Sequence, residues 1–190
     1  MDKAKHYCLR GNTNIRHIMR RESEDNLPRM LHEAMKLVSE RRAVEAETVL
    51  KRLLKTQPNC SDALWLLGRA LTQQDRFEES IDAYQKAAQL EPDRAVFHES
   101  LGVLFIRMGE IAEGRTALTR AMNLDRESLR PSEYTFGKLI ESDRENALLW
   151  YGLGVVLEIQ DKIDMSAKAM SIARQLDSTL ESDPNGNQES

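Results

Sequence analysis

Apolar residues recur at helical spacing through most of the chain, in short runs broken at regular intervals by polar turns and prolines. Between Ser61 and Pro92, Leu64, Leu67, Gly68 and Leu71 fall on one helical face, and Phe77, Ser80, Ile81, Tyr84 and Ala87 on another. Gly68 and Ser80 remove bulk where the two helices approach closely. Asp75 followed by Glu78 reads as an N-cap and capping box for the second helix. Pro92 ends it, because proline lacks the amide hydrogen a continuing helix needs. The segment therefore predicts an antiparallel helical hairpin with an apolar face left over for a neighbour to cover.

That hairpin is one copy of a repeat. Gly68 and Gly102 stand 34 residues apart, as do Leu67 and Leu101, Ala87 and Ala121, Leu90 and Leu124, and Pro58 and Pro92. Copies start at Leu27, Ser61 and Ala95. A fourth starts at Ala147, with Trp150, Leu153, Gly154, Leu157, Ile163 and Ala173 in phase. Each hairpin leaves an apolar face that the next one covers, which is why such units come in series.

The pattern resembles the tetratricopeptide repeat, W-x2-L-G-x2-Y, then A-x3-F, then A and P. Residues 61–94 carry Leu67, Gly68, Leu71, Phe77, Tyr84, Ala87 and Pro92 in phase. There are departures: Trp65 lies one place beyond the expected tryptophan, Ala34 takes a glycine place, and Gly114 and Ser166 take an alanine place. The resemblance implies an all-α fold, a right-handed superhelical stack of antiparallel helical hairpins (a TPR solenoid).

The phase breaks over residues 129–146, "LRPSEYTFGKLIESDREN", where Pro131-Ser132 starts a predicted short helix reaching Ile140. Counted back from the fourth copy, it is a second helix whose first helix has been lost. Either it packs aside as an insertion, or repeat four turns relative to the others. The expected organisation is a basic leader over 1–26, three contiguous hairpins over 27–128, this irregular segment, a fourth hairpin over 147–176, and an acidic disordered tail over 177–190.

Charge adds little overall but is uneven. The formal net charge is −4, which does not point to nucleic acid or a membrane surface. Residues 1–21 nevertheless hold Lys3, Lys5, Arg10, Arg16, Arg20 and Arg21 against Asp2 alone. Three roles stay open for this leader: a cap over the stack built on Ile15, Ile18 and Met19, a mobile arm, or a binding element. Cys8 and Cys60 are too few for a disulfide framework or a zinc site and read as unremarkable thiols. No apolar run is long enough to insert in a membrane, and the polar start has no signal-peptide core. A soluble, cytoplasmic protein is expected.

No chemistry is selected. His6, His17, His32 and His98 form no HExxH pattern, no paired CxxC occurs, and Gly102, Gly109 and Gly114 do not space as a dinucleotide loop. The acids read as solvated helix faces. The expectation is no enzyme, no catalytic or metal-binding residue and no cofactor.

The resemblance implies instead a concave groove lined by first helices, which takes a helical or extended segment of a protein partner. The groove positions are Leu31, His32, Met35, Trp65, Leu66, Arg69, Gln73, Glu99, Val103, Ile106, Arg107, Tyr151 and Val155. The carboxylate clamp of one family version needs Lys, Asn and Arg where this chain has Leu31, Met35, Leu66, Glu99 and Val103, so a chaperone-tail receptor of that kind is not expected. The groove reads as apolar, with Arg69 and Arg107 as positive points. An adaptor or chaperone-like scaffold is the first reading. The alternative is self-assembly into a homo-oligomer, through Met165 and Ile172 on the apolar terminal helix or by exchange of leaders between grooves.

Overall fold

The computed structural model describes residues 27–181. Among them are nine α-helices, one closing 3-10 turn and no strand. The helices are α1 (Leu27–Ser39), α2 (Ala43–Thr56), α3 (Ser61–Thr72), α4 (Phe77–Leu90), α5 (Ala95–Arg107), α6 (Ile111–Leu124), α7 (Arg130–Ser142), α8 (Ala147–Ile159) and α9 (Ile163–Leu176). The fold is an all-α helical repeat of the solenoid class, with hairpins α1–α2, α3–α4, α5–α6 and α8–α9. The chain divides after Asp93 into two compact units, the first holding α1–α4 and the second α5–α9. The predicted leader lies outside the described residues, as do residues 182–190 of the predicted tail.

Every hairpin turns on one left-handed residue at the same place in its repeat: Arg41 (φ 58°), Asp75 (φ 56°), Gly109 (φ 86°) and Asp161 (φ 63°). This corrects the expected capping box. Asp75 is spent on the turn, and the N-cap of α4 is Arg76, with no side-chain cap bond. Arg76 instead grips Glu79 in a two-pronged pair, Nε to Oε1 and Nη2 to Oε2, both 2.6 Å. Arg42 does the same to Glu45 at the start of α2. Carboxylates in the first turn are stabilised there by the helix dipole.

Within three hairpins a glycine of the first helix lies under a larger side chain of the second. A methyl group on Gly68 would stand 2.5 Å from the Tyr84 ring, on Gly102 2.6 Å from Leu118, and on Gly154 2.8 Å from Met170. The small residue expected beside that crossing has a second task. The Ser80 hydroxyl donates to the Gly68 carbonyl (2.8 Å) and the Ser166 hydroxyl to that of Gly154 (2.9 Å), both buried. At Gly114 the corresponding space is taken by Ile106, whose Cγ1 would lie 2.5 Å from a methyl there.

The first unit is cored by residues such as Ala34, Ala46, Leu50, Leu53, Leu66 and Ala70. Beside that core, Glu47 of α2 is buried and charged. It accepts from Lys51 Nζ (2.6 Å), Arg76 Nη1 (2.8 Å) and Gln74 Nε2 (2.9 Å), so the turn before α4 is tied to the preceding hairpin. Cys60, expected in an inter-hairpin turn, is buried as the N-cap of α3.

The second unit departs from a plain stack. α7 runs where the phase break predicts a short helix, starting on Pro131 in its first turn. It packs against α8 and α5, and Lys162, in the turn before α9, donates to its Glu133 at 2.6 Å. Ser178–Glu181, expected to begin a disordered tail, form the 3-10 turn, and Leu180 packs on the core of this unit.

Candidate functional site

The predicted groove residues fall into two groups, and the division follows the two units. On the first unit, Met35 (51% exposed), His32 and Gln73 face outward from the helices, while Trp65 and Arg69 are half-buried. Leu31 and Leu66 lie inside the core of the unit and offer no open surface.

Two of these side chains are organised. The Arg69 guanidinium carbon lies 5.0 Å from the centroid of the Trp65 ring, one helical turn away, within cation–π range. The indole in turn rests against the core of the unit. Among the described residues, the Trp65 ring is the partner of the Arg69 guanidinium. Gln73 is less available than its exposure suggests. Its Nε2 donates to the Val38 carbonyl at 2.8 Å, which also accepts from the Arg41 backbone N–H at the end of α1.

On the second unit the predicted groove positions are used up by the unit itself. Glu99 accepts a hydrogen bond from the Ser132 hydroxyl of α7 at 2.5 Å, and both groups are buried. Ile106 is fully buried where four helices meet. A methyl on Gly152 of α8 would lie 2.4 Å from Phe136 Cε1 of α7 and 2.9 Å from Ile106 Cγ2 of α5. Val103 packs on the same core and Arg107 is half-buried.

The face of α8 that carries Tyr151 and Val155 is closed from the side of α6. Arg115 of α6 pairs with Glu158 at 3.1 Å. Burial works against the charge of Arg115, but Glu158 and Tyr151 outweigh it and raise the guanidinium pKa. α7 packs beside hairpin three, and α8 presents its expected groove face to α5, α6 and α7. A shallow depression of about 330 Å³ remains near Ile111, Leu148, Tyr151 and Leu180.

Ser132 and Phe136 were not among the predicted site residues, yet they fill the seat. A signal for them exists. Counted in phase with the fourth repeat they correspond to Ser166 and Met170, the pair that closes the α8–α9 hairpin over Gly154. α7 is a second helix in composition, applied to a first helix that is not its own.

On α9, Met165 is 53% exposed and Ile172 half-buried; α7 does not cover them. The equivalent places in the other hairpins are exposed Glu45 and Arg52, Glu79 and Lys86, and Glu113 and Arg120. No group of His, Cys, Asp and Glu among the described residues is arranged to hold a metal ion. No described helix is long and apolar enough to cross a membrane.

Residues 33–95 match the tetratricopeptide repeat family. No curated protein matches the chain. Among solved structures it is similar to MamA, with 17% identity and a TM-score of 0.53 over 85% of this chain and 84% of that one. It is also similar to YrrB, a TPR protein with an unusual peptide-binding site: 15% identity, TM-score 0.51, over 85% of this chain and 93% of that one. A third is the type III secretion translocator chaperone SycD of Yersinia enterocolitica, in an alternative dimer: 17% identity, TM-score 0.54, over 76% of this chain and 96% of that one. Identities this low speak to the fold alone.

Proposed function

We infer from the match of residues 33–95 to the tetratricopeptide repeat that this chain is a non-catalytic protein-interaction module, a cytoplasmic adaptor or chaperone-like scaffold. Its binding element is the first-helix face of α1 and α3, which takes a helical or extended segment of a partner protein. The observation that carries this reading is the Trp65–Arg69 pair beside exposed Met35, a rigid aromatic anchor and a cation next to an adaptable thioether. The peptide-binding site of YrrB and the chaperone role of SycD support a module of this kind.

The test is quantitative capture with the full chain as bait. Proteins retained by wild type are expected to fall at least about tenfold on Trp65→Ala or Arg69→Ala, since aromatic and arginine anchors carry most interface energy. They are expected to stay bound to Met165→Glu. Equal retention by all three variants would remove the face from the proposal.

A second reading, self-association through α9, is favoured by one observation. Met165 and Ile172 stand where the other hairpins carry exposed acid–base pairs. Light scattering across a wide concentration range decides it. A mass rising above 21.7 kDa with concentration, and returning to it in Met165→Glu/Ile172→Lys, is the expected signature. A constant 21.7 kDa would end the idea.

A further inference from the structure

The second unit holds, within one chain, an example of what a first-helix face of this protein accepts. α7 lies against α5 through Ser132 on Glu99 and through Phe136, which converges with Ile106 on Gly152. Ser132 and Phe136 are four apart, one turn of helix on one face. The seat is therefore occupied by an amphipathic helix that brings a hydroxyl donor to a carboxylate and, one turn on, an aromatic ring to an apolar floor.

One repeat earlier, Glu99, Val103 and Ile106 correspond to Trp65, Arg69 and Thr72 of α3. The charge of the face is opposite and sits one turn on, at the place of Val103, while Trp65 takes the place of Glu99. Where α5 offers a carboxylate acceptor, α3 offers a guanidinium, which can only donate. Arg69 is also positioned: it lies over the indole at 5.0 Å, so fewer rotamers are lost when it meets an anion. Thr72 is uncharged, and its hydroxyl is already engaged with the Gly68 carbonyl (3.0 Å) and Ser80 (2.7 Å). Met35 supplies adaptable apolar surface on the neighbouring first helix.

We propose that the face of the first unit built from Met35, Trp65 and Arg69 takes an amphipathic helix of a partner protein that carries a carboxylate one turn from an aromatic or aliphatic anchor. This rests on the reading of that face as the docking site and names the chemistry of its ligand. A basic segment, such as residues 3–21 of a second copy, would place cations on Arg69 and is disfavoured.

The probes are two fluorescein-labelled peptides with the sequence of residues 129–143, one carrying Ser132→Glu and the other Ser132→Lys. Each is titrated with the full chain and read by anisotropy. The glutamate peptide is expected to bind about tenfold more tightly than the lysine peptide, the scale of one charge-assisted hydrogen bond. Arg69→Gln should bring the two within about twofold, and Arg69→Glu should invert their order. Dependence on Arg69 also separates this seat from exchange with α7 in the second unit, where Arg69 plays no part. Equal affinities, absent binding, a preference for the lysine peptide, or a preference untouched by Arg69→Glu would overturn the proposal. If Trp65→Ala still releases captured proteins while the peptides show no charge preference, the docking face stands and the acidic-helix ligand falls.

Discussion

Phe136→Ala will cost the second unit about 3–5 kcal/mol, the range for truncating a fully buried phenylalanine. The ring is fully buried and sits where α5, α7 and α8 meet, so its loss leaves a cavity that no single helix can close. Gly152→Ala tests the same junction from the other side. A new methyl would lie 2.4 Å from the ring, and overpacking of this kind costs about 1–3 kcal/mol even though alanine is the better helix former. In the double variant the methyl enters the space the ring has left. The combined loss should fall short of the sum of the single losses by about 1 kcal/mol or more, as expected for residues in contact. Urea denaturation of the three variants measures this cycle, with hydrogen exchange at α7 and α8 locating it. Strict additivity would mean that Phe136 and Gly152 do not share a junction.

Glu47→Gln will destabilise the first unit by about 2 kcal/mol at neutral pH, and the loss will vanish in acid. Burial alone would push the Glu47 carboxyl up. Lys51, Gln74 and Arg76 outweigh that and bring its pKa from 4.5 down to about 2. A carboxylate with a depressed folded pKa gives stability that is fully present above its unfolded pKa. That stability is lost as the pH falls through the folded value. The difference between wild type and Glu47→Gln should therefore be constant from neutral pH to about 4.5, shrink below it, and be gone near pH 2. The full shift would correspond to about 3 kcal/mol, but Lys51 is 58% exposed and Arg76 34% exposed, so solvent screens part of the attraction. Denaturation curves for both proteins over this pH range give the answer. A difference that persists unchanged into strong acid would assign the loss to packing instead of charge.

Much of the fold is legible along the chain because it is governed by contacts close in sequence. The glycines under Tyr84, Leu118 and Met170 take the same place in their repeats, and each meets a partner within its own hairpin. Asp75 shows the limit of reading local chemistry. Aspartate suits both an N-cap and a left-handed turn, and only the need to reverse the chain within three residues decides between them. The Glu47 network was not legible, since Glu47 and Arg76 are 29 residues apart and meet through the stacking of hairpins.

The sequence by itself determined the hairpins, their period and the character of α7 as a second helix without a first. These follow from apolar spacing within about 34 residues, where a side chain's partners lie on its own or the paired helix. Only the tertiary structure decided which faces stay open. Position numbers assign Glu99, Ile106, Tyr151 and Val155 to a groove, and they would line one if another full hairpin followed hairpin three. With its first helix missing, α7 has an apolar face to bury and takes the nearest first-helix surface, that of α5, while α8 turns against α6. Burial of apolar surface is non-directional, so the chain closes whichever face geometry brings within reach. The first unit has no such orphan helix among its described residues. There Met35 is exposed, and the Arg69 guanidinium lies over the half-buried Trp65 ring.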